Sequence, residues 1–405
     1  MTIARIDTLR LAEFPNLLWV EVVTDEGVVG LGETFYGAAA VEAYVHETAA
    51  PVLLGADPLA IEAHAAALRT YVGYGSAGAE SRGRSAIDIA LWDLWGKATG
   101  QPLYQLLGGR VRETAPIYNT CAGYRYVRRL PDQRVDNWGL PEDAPAGPYE
   151  DLDGFLHHAD RVAESLLEEG VSAMKIWPFD PYAEASNGTW IGPEDLERGL
   201  EPLRRVRAAV GTRMDVMVEL HGLWDVPMAK RIVRALEPLA PRWVEDPVRS
   251  DDVDALAAVA GASRVPIAAG ETLAGLRAFR RLAERRAADV VIFDPTWCGG
   301  IAEARKIAAV AEAYGLPVAA HDCTGPIGLA VGAHLSIALP NAVAQETVRA
   351  FYSDWYAELA VTLPPIADGQ IAPAPGPGHG VALRPELRER ADAHVRTSRV
   401  EARVG

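Results

Sequence analysis

The sequence predicts an α/β barrel with a smaller α+β companion, on three observations: the chain length, a change of texture near Glu113, and a polar residue that closes one short apolar run after another. At 405 residues the chain exceeds one typical domain, which leaves room for a barrel of roughly 200–250 residues and a second unit. Before the change of texture, Ile3–Leu11, Leu17–Thr24 and Val28–Phe35 read as strands, with Asp25-Glu26-Gly27 as a hairpin turn. Further on, Ile87, Leu91, Leu94 and Trp95 share one helical face and read as core.

From Glu113 strand and helix alternate, beginning with a strand over Ala115–Thr120, and such alternation indicates a parallel sheet. The later strands are Val171–Trp177, Met214–His221, Arg242–Asp246, Val265–Glu271, Val290–Asp294, Pro317–Asp322 and Val343–Glu346. Helices such as Val226–Glu237 and Ile301–Tyr314 lie between them. Glu219 to Glu245 is 26 residues and Glu245 to Glu271 again 26, then Asp294 follows after 23, His321 after 27 and Glu346 after 25. One residue per strand–helix unit repeats, and a closed barrel brings such positions together at its C-terminal mouth. Two long connections, Gly123–Glu150 and Phe179–Pro193, leave that same end, and loops of this length are usually functional or mobile. In the first, Arg125, Arg128, Arg129 and Trp138 are candidates to reach a substrate.

Composition narrows the function classes. Apolar residues at 49% and charged residues at 23% fit a globular enzyme rather than a disordered chain. A formal charge of −16 disfavours nucleic acid and acidic membranes as partners but not a small anion held by a bound cation. No secretion signal or long apolar span is read at the N-terminus or elsewhere, so a cytoplasmic location is expected. Three widely spaced cysteines, Cys121, Cys298 and Cys323, argue against a disulfide framework.

Glu219, Glu245 and Glu271 at neighbouring strand ends repel one another unless a cation joins them. A hard divalent ion such as Mg²⁺ suits three carboxylates and leaves positions for substrate oxygens. Asp294 and His321 end consecutive strands, so Asp294 can fix the tautomer of His321, the candidate base. His221, two residues after Glu219, is expected on the same side of its strand and is the candidate acid. Lys175 ends strand 2, where a cation meets developing negative charge, and Glu346, if protonated, can hydrogen-bond a substrate carboxylate.

These residues resemble the enolase superfamily in its mandelate racemase-like branch, on Met-Val-Glu219-Leu-His221-Gly, Trp-Val-Glu245-Asp-Pro, Ala-Gly-Glu271-Thr, Asp294-Pro-Thr-Trp-Cys-Gly-Gly, Ala-His321-Asp-Cys-Thr-Gly-Pro and Gln-Glu346. The resemblance implies a modified TIM barrel, (β/α)7β, over residues 113–346, an N-terminal capping domain over 1–112, and a C-terminal segment, 347–405, that returns to the cap. It implies cap loops around Phe14–Leu17 and Tyr71–Arg84 closing over a carboxylate substrate, Mg²⁺ on the three glutamates, and a homo-oligomer, dimer or octamer. Racemases of the family resemble one another in a Lys-x-Lys on strand 2; here Lys175-Ile-Trp177 puts Trp177 at the second lysine. Galactonate-type dehydratases are the better match, because they pair the strand-3 ligand with a histidine two residues on. The reading is dehydration of a sugar acid, an aldonate, through an enediolate to a 2-keto-3-deoxy acid. The alternative is a cycloisomerase or a racemase/epimerase using the same enediolate.

Overall fold

The computed structural model describes residues 1–69, 77–128, 130, 133–140 and 147–400. Strands β1 (Ile3–Leu11), β2 (Phe14–Thr24) and β3 (Val29–Phe35) form an antiparallel meander. The β2–β3 turn closes with Gly27 at φ +83°, a conformation a side chain would strain. β2 starts earlier than expected: Phe14 pairs with Leu11 and Leu17 with Phe35. Phe14–Leu17 is therefore strand and not a covering loop. The other expected cap loop, Tyr71–Arg84, lies partly outside the described residues, and its end begins the helix Ala79–Thr99.

That helix is buried on more than the one face its sequence pattern suggested. Ile89, Ala90 and Trp92 are buried along with Ile87, Leu91 and Leu94, while Trp95 is only half-buried. One side lies directly on β3, where a Cβ at Gly30 would stand 2.0 Å from Ala90 O and one at Gly32 1.9 Å from Ala86 O. The other side docks on the barrel through Ser85 Oγ, which accepts from Gly299 N at 2.9 Å, and Asp88 Oδ1, which accepts from Ala302 N at 3.1 Å. A helix between two layers has little solvent face to leave polar.

The barrel strands are β4 (Ala115–Thr120), β5 (Ala173–Ile176), β6 (Asp215–Glu219), β7 (Trp243–Glu245), β8 (Ile267–Ala269), β9 (Val290–Phe293), β10 (Val318–Ala320) and β11 (Ala342–Thr347). All are parallel, and β11 closes on β4 with Glu346 opposite Tyr118. Helices Asp151–Glu168, Pro193–Val210, Val226–Leu236, Val253–Ala260, Leu276–Glu284, Ile301–Ala313 and Pro326–Ala338 fill the successive crossovers, which is the (β/α)7β order. Tyr118, Met217, Trp243, Ala268, Ile292 and Ala319 pack together as an apolar plug inside the barrel, so the interior is a core and chemistry is confined to the mouth. Several strands are shorter than expected: Glu271, Asp294 and His321 stand just beyond β8, β9 and β10.

After the barrel, the hairpin β12 (Ile366–Ala367) and β13 (Gln370–Ile371) pairs with the start of β4, and β14 (Ala393–Arg399) pairs antiparallel with β1. Cap and barrel share one apolar core. Glu33 of β3 links them: its carboxyl accepts from Trp19 Nε1 at 2.8 Å and from Gly328 N, in the first turn of Pro326–Ala338, at 2.9 Å. An acid at a helix N-terminus is favoured there by the unpaired amides. No described helix is long and apolar enough to cross a membrane.

Candidate active site

Glu219 and Glu245 stand side by side because β6 and β7 pair in that register. Glu271 reaches them after Gly270, whose φ of +123° and lack of a Cβ, which would lie 2.7 Å from Ile292 O, make the turn out of β8 possible. One ligand atom from each of the three carboxylates lies within 4.8 Å of the others, and all three residues are buried. Burial raises the pKa of Glu219 and Glu245 against the pull of Lys175. Glu219 Oε1 accepts from Leu220 N and His221 N at 3.0 and 2.6 Å, but Oε2 has no hydrogen-bond partner. A buried carboxylate oxygen without a donor, facing two further carboxylates, fits a hard cation.

Lys175 Nζ lies 2.8 Å from Glu245 Oε1, 2.9 Å from Glu346 Oε1 and 3.6 Å from Glu219 Oε2. One ammonium cannot neutralise that much acid. Glu346 also accepts from Thr120 Oγ1, from Tyr118 Oη at 3.1 Å and from Asp322 N at 3.1 Å. Burial opposes its charge, yet Lys175 and His321 outweigh burial and lower its pKa. Donors surround Glu346, and they favour its charged form over the protonated one in which it could donate to a substrate carboxylate.

His321 Nδ1 lies 2.8 Å from Asp294 Oδ2, and Asp294 Oδ1 is fixed by Thr296 N at 2.6 Å and Thr296 Oγ1 at 2.7 Å. Burial works against a charge on His321, but Glu271, Glu346 and Asp294 overcome it and push its pKa up to about 10. Trp297 packs on the ring, centroids 4.9 Å apart, and the Arg82 guanidinium from the cap helix lies 4.5 Å over Trp297 while donating to Phe35 O. The cap thus supports the His321 ring through two stacked groups.

His221 arrives by a different route from the one expected. β6 ends at Glu219, and His221 has φ +49°, so a left-handed turn and not strand alternation places the ring. Its Nδ1 lies 2.7 Å from Asp180 Oδ2, at the start of the helix Asp180–Ser186, and its Nε2 lies 2.9 Å from Gln133 Nε2. In the neutral ring Nδ1–H donates to Asp180 and Nε2 accepts from the Gln133 amide; in the protonated ring Nε2–H needs an acceptor in place of that amide. Burial lowers the pKa of His221, but Asp180 and Glu219 outweigh it and push it up to about 10. Trp177 is enclosed by Tyr126, Phe155 and Trp138 at 5.1, 5.2 and 6.5 Å, and faces His221 edge-on at 5.9 Å.

Both histidines, Lys175, Glu271, Glu346 and Trp177 line one cavity, completed by Tyr36 from the cap and by Tyr126 and Gln133 from the connection after β4. The domain matches agree with this arrangement: residues 11–108 match the mandelate racemase / muconate lactonizing enzyme N-terminal domain, and residues 158–387 match the enolase C-terminal domain-like family. The chain belongs to the enolase superfamily.

This enolase-superfamily enzyme is 32% identical over 393 residues to the D-galactonate dehydratase of Variovorax paradoxus (strain S110), covering 95% of this chain and 93% of that protein. It is 31% identical over 402 residues to the D-galactonate dehydratase of Xanthomonas axonopodis pv. citri (strain 306), covering 97% and 94%. Among solved structures, an enolase of the mandelate racemase subgroup from Agrobacterium tumefaciens shares 46% identity with a TM-score of 0.87, covering 98% and 99% of the two chains. An enolase protein from environmental sequencing of the Sargasso Sea shares 44% with a TM-score of 0.88, covering 99% and 100%.

Sequence reasoning about this superfamily member missed the groups that hold the histidines and roof the cavity: Asp180, Gln133, Tyr36, Tyr126 and Arg82. They lie on connections or at the cap edge, where no period marks a position; the signals were the length of the two connections and, for Arg82, the expected cap segment Tyr71–Arg84. Of the substrate-reaching candidates on the first connection, Arg128 pairs with Glu13 at 3.0 Å and stacks 4.4 Å over Phe14, away from the cavity. Trp138 is buried behind Trp177, Arg125 is exposed, and Arg129 lies outside the described residues. Cys323 packs against the core and also lines the cavity, and all three cysteines are free.

Proposed function

We propose that the protein is a Mg²⁺-dependent dehydratase of a monocarboxylate sugar acid, an aldonate, yielding a 2-keto-3-deoxy acid. The observation that carries this reading is that two histidines, each held by its own aspartate, line one cavity with Glu271, the member of the three-glutamate cluster that opens onto it. Removing an α-proton and expelling a hydroxyl needs a base and a separate acid. The name D-galactonate dehydratase borne by relatives matched over almost the full chain supports it.

Glu219, Glu245 and Glu271 would hold Mg²⁺, which when bound supplies positive charge that acidifies the proton next to the substrate carboxylate. With the charge of Glu271 shared by a cation, the largest influence that raises the pKa of His321 would fall away, and the neutral ring, oriented through Nδ1 by Asp294, takes the α-proton on Nε2. Lys175 meets the negative charge of the resulting enediolate, and Glu346, with Thr120 and Tyr118, keeps Lys175 aimed at the cavity. His221 gives the proton on Nε2 to the 3-hydroxyl as the carbon–oxygen bond breaks, so water leaves and an enol remains. That enol takes a proton at C3 and becomes the 2-keto acid. Trp177 stands where a second lysine would make racemisation possible, and its ring offers no base to the other face of the α-carbon.

The test is incubation of the purified protein with Mg²⁺ and a panel of sugar acids, with detection of 2-keto-3-deoxy acids. Formation of such a product from one or more aldonates is expected. If an epimer or a lactone forms instead, the dehydratase reading is wrong.

A further inference from the structure

The 3-hydroxyl of an aldonate must come within hydrogen-bond distance of His221 Nε2 to receive its proton. In the free protein that place is taken: Gln133 Nε2 lies 2.9 Å from it. The same amide nitrogen donates to Tyr126 Oη at 2.7 Å, and Gln133 Oε1 accepts from Tyr36 Oη at 3.2 Å. One carboxamide therefore joins the cap, the connection after β4 and the barrel acid. Gln133 itself is exposed while it lines the cavity, so it stands at the mouth, where its side chain can turn away from His221 without disturbing the core. Tyr36 is held there with φ +67°, a strained conformation for a tyrosine, and its ring packs on Trp297 at 5.8 Å.

We propose that Gln133 is a specificity-determining residue: it keeps the place of a substrate oxygen beside His221 and, once displaced, reads the hydroxyl on C4 together with Tyr36 and Tyr126. This rests on the dehydratase reading, which fixes C3 at His221. The next carbon of the sugar acid then lies against the three groups that Gln133 already connects. A carboxamide donates and accepts, as does a phenol, so the set recognises a hydroxyl by its direction. Gln133, Tyr36, Tyr126 and Trp177 carry no charge, and the nearby cation, Arg82, lies against the rings of Tyr36 and Trp297 while donating to Phe35 O, which suits a neutral hydroxylated tail over a second carboxylate. Lys175 is engaged with its glutamates at the other side of the cavity.

The experiment compares kcat/KM for the best aldonate of the panel with that for its C4 epimer, in the wild type and in Gln133→Leu, Gln133→Asn and Gln133→Glu. The wild type is expected to prefer one epimer by tenfold or more. Gln133→Leu should lose about 10–100-fold on the preferred epimer and little on the other, so that the ratio falls to within about threefold. The loss on the preferred epimer should fall mainly on KM, because the hydroxyl contact is made in the bound substrate as well as in the transition state. Gln133→Asn and Gln133→Glu keep the side chain polar and carry the comparison if the leucine variant does not fold; both should alter the ratio. An active wild type without C4 preference, or an unchanged ratio in the folded variants, overturns the assignment. A wild type that dehydrates no sugar acid fails before any variant is compared; it overturns the dehydratase reading and the C4 assignment with it.

Discussion

Nε2 of His321 lies 3.3 Å from Oε2 of Glu271, so the ring nitrogen that faces the cavity opens directly onto the three-glutamate cluster. In the proposed dehydration, a substrate carboxylate drawn to that cluster would bring its α-carbon beside the same nitrogen. Replacing His321 with Asn should lower kcat by roughly 10²–10⁴-fold, the usual worth of a positioned base, with little change in KM because the binding groups remain. Steady-state kinetics on a variant with a wild-type circular dichroism spectrum checks this. A loss of less than tenfold assigns the proton to another group.

Glu219 Oε2 is buried without a donor, so a divalent ion should stabilise the fold as well as serve the chemistry. At a hundred times its dissociation constant, an ion that binds only the native state adds about 2.7 kcal/mol. Thermal unfolding should therefore shift upward with Mg²⁺ in the wild type. In Glu219→Gln the shift should shrink or vanish, while the metal-free melting temperature stays at or above that of the wild type, because a buried charge has been removed. An equal Mg²⁺ shift in both proteins would place the ion elsewhere.

Trp177 is packed by three aromatic side chains on the barrel side of the cavity, and proton removal should proceed from one face only. Substrate recovered after partial reaction should retain its configuration at C2, as read by chiral chromatography. Appearance of the C2 epimer at a rate comparable to turnover would bring the racemase alternative back.

His334 lies far from this chemistry, on the helix Pro326–Ala338. It is buried, accepts from Tyr104 N at 3.1 Å and stacks on the Tyr104 ring. Burial, helped by neighbouring His379, pushes its pKa down to about 3; His379 in turn faces Asp93 at 3.5 Å. The folded state holds this ring neutral, whereas the unfolded chain takes up a proton below about pH 6.5. The contribution is therefore full above that pH and is lost as pH falls toward about 3, by about 2 kcal/mol between pH 6.5 and 5. The stability difference between the wild type and His334→Phe should be flat above pH 7 and shift toward the variant below it. Parallel curves from denaturant titrations over that range would refute the assignment.

The barrel and the acidic cluster were legible because each strand–helix unit repeats one position, and closure brings those positions to one mouth. Glu219, Glu245, Glu271, Asp294, His321 and Glu346 all follow that period. His221 was legible as a residue but not in its placement, since a left-handed turn after β6 replaces the strand geometry. Asp180 and Gln133 were not legible, because their positions depend on how two aperiodic connections fold over the mouth. The helix Ala79–Thr99 misled for another reason: packed between β3 and the barrel, it buries nearly its whole circumference, and amphipathic spacing describes only half of that environment.

The central claim is that His321, working beside the three-glutamate cluster, removes the proton next to a substrate carboxylate. Proton NMR of the reaction in D₂O tests it most directly. The wild type with Mg²⁺ should remove the C2 proton of an aldonate and give a 2-keto-3-deoxy acid carrying deuterium at C3, and His321→Asn or a chelator should leave that proton in place. Loss of the C2 proton at an undiminished rate in His321→Asn would contradict the account.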